Sequence, residues 1–285
     1  MKVSIIVNCY NGESYLDECL SSIKDQTYKN YEVIFFDNNS NDKSAFIFKN
    51  YESEKFKYFK SDRKKNLYDA RNDALGKCSG EIITFLDVDD VWHKNKLFEQ
   101  TNIFQRDKDI DLIYTDYILK NELNNTTKNI YLKKIDKDLT NILLKQTNIA
   151  LLTIAIRKKA LEENNFKFDP DYNIIGDFDL LIKLSTKCKF FYLNFLSATY
   201  RQHSKSETNI NFYRLIEELK DWKIKNRDNK AINSLSNFKN LDYKINYYNS
   251  IYAIKEKNYE LLFKSLYKIK FSIYILRIIF WKIFR

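Results

Sequence analysis

"EIITFLDVDD", residues 81–90, is an apolar run that breaks into three carboxylates within four positions, Asp87, Asp89 and Asp90. The run reads as a buried strand, and strands of that kind belong to parallel sheets covered by helices on both faces. Upstream the pattern repeats. "VSIIVN" (3–8), "YEVIFF" (31–36) and the weaker "FKYFK" (56–60) predict three more strands. A helix is expected over about 13–26, with Tyr15, Leu16, Cys19, Leu20 and Ile23 on one face, and further helices near 42–50 and 67–77. Repeated βαβ units predict an α/β fold with a Rossmann-like, mostly parallel sheet and flanking helices. The polar clusters "NCYNGE", "DNNSND" and "DVDD" then share the carboxyl edge, where such sheets bind ligands.

Further along, "DLIYTDY" (111–117) and "FFYLNFLSATYRQH" (190–203) predict strands, and "NIALLTIAIRKKAL" (148–161) a strand running into a helix. Residues 121–134 read as a loop or hairpin excursion, and from about 210 onward the pattern is helical. The expected division is a domain over 1–210 and a C-terminal helical extension over 211–285.

Hydrophobic residues make up 44 % of the 285 and aromatic residues 16 %, which predicts a folded core rather than disorder. Cys9, Cys19, Cys78 and Cys188 form no CxxC or zinc spacing and read as reduced core residues. No signal-peptide pattern precedes Val3, so a cytoplasmic location is expected. The net charge of +10 is uneven: residues 211–285 hold 16 Lys/Arg against 7 Asp/Glu, and residues 1–210 hold 32 against 31. Neither GxGxxG nor a P-loop occurs, which sets aside dinucleotide oxidoreductases and P-loop kinases.

Asp87 and Asp89 together repel unless a cation sits between them, and oxygen donors of this kind suit Mg²⁺ or Mn²⁺ bridging to substrate phosphates. Asp90 reads as the cap of a helix starting near Trp92 or His93, and His93 as structural.

Four ordered blocks carry a resemblance: "VSIIVNCYNGESYLDECLSSIKDQTYKNYEVIFFDNNSNDKS", "ARNDALGKCSGEIITFLDVDDVWHKNKL", "IIGDFDLLIKL" and "YRQH". Over about residues 1–205 the chain resembles glycosyltransferase family 2, inverting nucleotide-sugar-dependent enzymes with a GT-A fold. The resemblance implies Asp87 beside the nucleoside ribose, Asp89 as metal ligand, and Asp37 as acceptor from the base, with helix capping as the alternative for Asp37. Asn38 and Asn39 replace the second Asp and the Gly of the family's "DDGS", and Asn39 tolerates the left-handed turn. Tyr10 is expected to pack on the base, Asn8 to supply polar contacts and Glu13 to reach the nucleoside, unless Glu13 serves the helix dipole. Position 8 lacks the family's usual Pro. Arg71 matches an Arg suited to diphosphate, and His203 a His that closes over the diphosphate or metal. Asp177 is the expected base, with Asp179 second. Asp177 also reads as an N-cap, and Gly176 stands where Glu is common.

The implied activity is hexosyl or N-acetylhexosaminyl transfer, commonly from a UDP-sugar, to a glycan or lipid-linked acceptor in cell-surface polysaccharide or lipopolysaccharide synthesis. The alternative is a non-catalytic nucleotide-sugar or polyanion binder that uses the basic tail. Residues 264–285 hold six basic and no acidic residues, and Leu266, Ile269, Ile273, Leu276, Phe280 and Ile283 recur at helical spacing. Lys270 and Arg277 interrupt any transmembrane run. The tail is therefore expected to lie on the inner face of the cytoplasmic membrane or to dock on the catalytic domain. No nucleic-acid partner is expected, since the tail has no recognised motif for one.

Overall fold

The computed structural model describes residues 1–135, 138–145, 149–206 and 211–269. They form two compact units, residues 1–135 with 149–204, and residues 138–145 with 205–206 and 211–269.

The first unit begins with β1 (Val3–Cys9), α1 (Leu16–Lys24), β2 (Tyr31–Asp37), α2 (Ser44–Lys49), β3 (Phe56–Lys60), α3 (Leu67–Leu75) and β4 (Ile82–Phe85). It continues with β5 (Val91–Trp92), α4 (Lys96–Arg106), β6 (Leu112–Asn121) and β7 (Thr126–Ile130). After α5 (Leu139–Lys145), which belongs to the second unit, come β8 (Ala155–Arg157), α6 (Lys158–Glu163), α7 (Gly176–Ser185) and β9 (Phe190–Gln202).

The sheet order is β3-β2-β1-β4-β8-β6-β9-β5, with β7 on β6. Parallel ladders join β1 with β2 and β4, β2 with β3, and β6 with β9, and an antiparallel ladder joins β7 to β6. Short antiparallel ladders place β8 between β4 and β6 and add β5 to β9. Every residue of β1 and β2 is buried, as unalternating apolar strands covered on both faces must be. Leu16, Cys19, Leu20 and Ile23 of α1 close one face. At the amino end of the sheet, buried Glu32 accepts from Lys2, Ser4, Lys57 and Ser79. These bonds hold its pKa well below the usual carboxylate range even though burial opposes them. They tie β1, β2 and β3 to the start of β4, so the opposite edge is free for ligands.

Four expectations change. Asp90 caps no helix: Val91–Trp92 is strand β5, α4 starts at Lys96, and Asp90 Oδ1 accepts instead from the Arg201 backbone N–H at 2.8 Å. His93 accordingly precedes a helix instead of lying within one. Asp177 is not an N-cap either, because Ile175 holds that position and Asp177 falls in the first turn. Glu13 precedes α1, since Gly12 O accepts from both Tyr15 N and Leu16 N in a turn.

The second unit holds α5 with α8 (Phe212–Lys225), α9 (Lys230–Asn233), α10 (Ser236–Lys239), α11 (Leu241–Lys255) and α12 (Tyr259–Ile269), and α5 packs on α10 and α11. Ile216, Leu219, Trp222, Leu241, Ile245 and Ile251 are buried in it. Asn141 of α5 bonds to both N–H groups of Asn237, so a segment that the sequence reading left in the first region joins the helical one. Of the expected apolar tail face, Ile269 is buried and Leu266 half-buried. Ile273, Leu276, Phe280, Ile283, Lys270 and Arg277 lie outside the described residues. No helix among the described residues is long and apolar enough to cross a membrane.

Candidate active site

The carboxyl ends of β1, β2 and β4 share one edge because their ladders are parallel and in register, Cys9 beside Asp37 and Ile6 beside Phe85. The chain leaves β4 at Leu86, whose N–H still bonds Ile6 O, and Asp87 and Asp89 follow on the loop. β9 returns along this loop and fixes it from the other side. Arg201 Nε donates to Asp89 O at 2.8 Å, and its Nη atoms reach Glu122 at 2.9 Å and Glu18 at 2.6 Å. A guanidinium with its donors spread over a carbonyl and two carboxylates sets a loop more rigidly than a lysine could.

Asp89 Oδ2 stands 3.0 Å from His203 Nε2, and the His203 ring lies against Tyr15, centroids 5.0 Å apart. Burial, then the Asp87 charge, pushes the Asp89 carboxyl above its usual range, against the bond from His203. Asp90 is pushed up further by burial and by Asp89 and Asp87. Its Oδ2 is buried with no hydrogen-bond partner among the described residues. A divalent cation fits this edge. Asp89 and His203 bring a carboxylate oxygen and an imidazole nitrogen within 3.0 Å of each other, a pair that would hold such an ion if water and substrate phosphate supplied its other ligands, since among the described residues no three ligating side chains gather. A cation there also offsets the crowding of carboxylates.

Arg71, on α3, is 3 % exposed. Its Nη2 donates to Asp87 Oδ1, and its guanidinium lies 5.3 Å from the Tyr68 ring and 5.6 Å from that of Phe168. The Arg expected at a diphosphate is therefore first of all the partner of Asp87. Asp177 lies beyond this pair. Its Oδ1 accepts from Phe178 N at 2.8 Å and lies 3.4 Å from the Tyr68 hydroxyl. Burial raises its pKa, with the Arg71 charge opposing. Asp179 is 3 % exposed and paired with Lys183 at 2.6 Å, an i,i+4 pair within α7.

The nucleoside candidates are less uniform. Among the described residues neither side-chain polar atom of buried Asn8 has a partner, so its amide is available to a ligand or to water. Tyr10 is 42 % exposed with Lys64 Nζ 3.7 Å above its ring. Asp37 is fully buried and already accepts from Ser40 N and the Tyr58 hydroxyl, so it stabilises the turn before α2. Asn38 exchanges two bonds of 2.9 Å with the Lys65 backbone, which pins the β3–α3 loop carrying Lys64. Asn39 takes the left-handed φ of 63° expected of it. Glu13 Oε2 accepts from Lys43 N at 2.9 Å, a bond to the next helix entry.

Sequence reasoning missed Arg201, Tyr68 and Lys64. Arg201 sat within the quoted "YRQH", and a guanidinium beside a candidate ligand was its only signal. Gly176 signalled Tyr68: a Cβ at Gly176 falls 2.5 Å from the Tyr68 ring. Gly176→Ala is thus expected to destabilise the unit by about 1–3 kcal/mol, the range for overpacking a filled site. Chemical denaturation checks this, and an unchanged midpoint would contradict it.

Glycosyl transferase family 2 matches residues 4–166. The UDP-Glc:alpha-D-GlcNAc-diphosphoundecaprenol beta-1,3-glucosyltransferase WfgD of Escherichia coli is 33 % identical over 166 residues, 58 % of this chain and 64 % of that protein. The chain thus spans less than two thirds of that relative. The GalNAc(5)-diNAcBac-PP-undecaprenol beta-1,3-glucosyltransferase of Campylobacter jejuni is 28 % identical over 283 residues, covering 94 % of this chain and 87 % of that one. The crystal structure of S. aureus TarS 1-349 in complex with UDP-GlcNAc superposes with a TM-score of 0.71 at 18 % identity, over 94 % of this chain and 80 % of that one, a likeness of GT-A fold.

Proposed function

Because the chain belongs to glycosyl transferase family 2, we propose that it moves a sugar, with inversion, from a UDP-sugar to a lipid-linked glycan during surface-polysaccharide assembly. The observation that carries this is the pairing of Asp89 with His203 at 3.0 Å on the carboxyl edge, with Asp177 across the Arg71–Asp87 pair. The activities for which WfgD and the Campylobacter enzyme are named, both on undecaprenol-diphosphate glycans, support the acceptor class, and the UDP-GlcNAc complex of TarS supports the donor.

In this reading Asp177 accepts the proton of the acceptor hydroxyl, whose oxygen attacks the anomeric carbon as the bond to the diphosphate breaks. Its raised pKa makes the carboxylate a stronger base than a solvated Asp. A Mn²⁺ or Mg²⁺ held by Asp89 and His203 would supply Lewis-acid stabilisation of the departing diphosphate. Asp87 holds Arg71 and faces the ribose, Tyr10 and Lys64 flank the base, and Asn8 offers its amide to the nucleoside. Incubating the protein with UDP-sugars and a short-chain lipid diphosphate-sugar acceptor tests the reading. Transfer of one sugar is the expected result, and nucleotide binding without any transfer would favour the non-catalytic binder.

The second unit supports contact with the inner membrane face. Tyr259, Phe263 and Tyr267 of α12 are 67 %, 70 % and 86 % exposed at four-residue spacing, and Lys264 and Lys268 stand beside them. Aromatic rings and cations on one helix face suit a lipid interface. The triple replacement Tyr259→Ser, Phe263→Ser, Tyr267→Ser is expected to lower co-sedimentation with phosphatidylglycerol vesicles severalfold. Equal sedimentation would remove this face from the proposal.

A further inference from the structure

Tyr68, on α3, is 2 % exposed, and its ring fills the place of a side chain at position 176. A Cβ built on Gly176 meets Tyr68 Cδ2 at 2.5 Å and both Cε2 and Cγ at 2.6 Å, so the ring in this place requires a glycine at 176. The ring is itself held, stacked on Phe168 with centroids 5.3 Å apart. From that seat the Tyr68 hydroxyl donates to Ile174 O at 3.0 Å and lies 3.4 Å from Asp177 Oδ1. One phenol therefore touches the chain just before α7 and the carboxylate in its first turn.

We infer that Tyr68 is a positioning residue for Asp177, holding Oδ1 of that carboxylate so that Oδ2 meets the acceptor hydroxyl. The inference rests on Asp177 being the base of the proposed function. The last torsion of an Asp side chain is broad and roughly two-fold, so a carboxylate on a single donor swings. Here Oδ1 accepts from Phe178 N at 2.8 Å and has the Tyr68 hydroxyl 3.4 Å away, whose single proton it shares with Ile174 O at 3.0 Å. A base fixed within reach of its proton is what proximity requires, and small misplacements are costly in rate.

The charged and titratable groups around Asp177 are Arg71 and Tyr68 on α3, Asp87 beyond β4 and Tyr200 on β9. On its own helix Asp179 is paired with Lys183. Burial and Asp87 disfavour the ionised carboxylate and Arg71 favours it. The phenol proton, drawn to Oδ1 when Asp177 is ionised, would act in the same direction as Arg71, which gives the positioning role a pH readout.

Tyr68→Phe removes only the hydroxyl and leaves the ring on Phe168 and over Gly176. The expected result is a kcat lowered roughly tenfold with donor KM unchanged, and an acid limb of the kcat profile moved to higher pH by about half a unit. A ring that only packs would move neither, and an unshifted limb with unchanged kcat overturns the inference. In parallel, Gly176→Ala combined with Tyr68→Ser frees the overlapped space. That pair is expected to keep the displaced limb; a wild-type limb in the pair overturns the inference even if Tyr68→Phe does not fold. Asp177→Asn separates the two levels. Full turnover in it defeats the base assignment, whereas lost turnover there with an unshifted Tyr68→Phe limb defeats the positioning role alone.

Discussion

Asp177→Asn is expected to lower kcat by on the order of 10²–10⁴, the usual contribution of a positioned general base, with donor KM nearly unchanged. The amide is isosteric and can still accept from Phe178 N, so the fold around α7 should persist. The pH profile carries a second, signed expectation. Burial raises the Asp177 pKa, with Arg71 opposing, and only the ionised form accepts a proton. Wild-type turnover should therefore fail on the acid side at a pH above the ordinary Asp range of about 3.9. That limb should be absent from the residual rate of the variant. A limb at ordinary Asp values in the wild type, or turnover retained in Asp177→Asn, would point to another base.

Asp89→Asn should have an effect of similar size through a different route. A charged ligand is replaced by a neutral one, while the loop stays anchored through the Asp89 carbonyl to Arg201. Lewis-acid assistance is worth several kcal/mol, so a loss on the order of 10³-fold in kcat is expected. Donor affinity should lose its dependence on Mn²⁺. His203→Ala should fall between this variant and wild type, since its imidazole shares the same position with Asp89 at 3.0 Å. Divalent-ion titrations of initial rate measure both. Equal Mn²⁺ dependence in Asp89→Asn and wild type would contradict the ligand assignment.

What the sequence made legible follows from the range of the interactions involved. β1, β2 and β4 were readable because unalternating apolar runs of four or more residues have few other uses, and their polar ends then marked the edge. The turn at Asn39 was readable because few residues other than Gly tolerate its φ. Caps were misread where a distant bond outweighed the local one: Asp90 serves the backbone of Arg201, 111 residues away. The roles of Tyr68 and Arg201 depend on partners more than 70 residues off, which local spacing cannot show. The resemblance implied Asp37 as an acceptor from the base; its bonds from Ser40 N and the Tyr58 hydroxyl join residues 3 and 21 positions away, which the motif alone did not signal. The placement of α5 with the C-terminal helices rests on the side chains of Asn141 and Asn237, a pairing with no signal in composition.

Calorimetric titration of the protein with UDP, GDP and dTDP, each with and without Mn²⁺, in wild type and Asp89→Asn, tests the metal-bridged donor site most directly. The expected result is one nucleoside diphosphate, UDP, that binds wild type at least tenfold more tightly with Mn²⁺ and gains nothing from it in Asp89→Asn. Equal binding with and without the ion, or an undiminished gain in Asp89→Asn, would contradict a donor site built on Asp89.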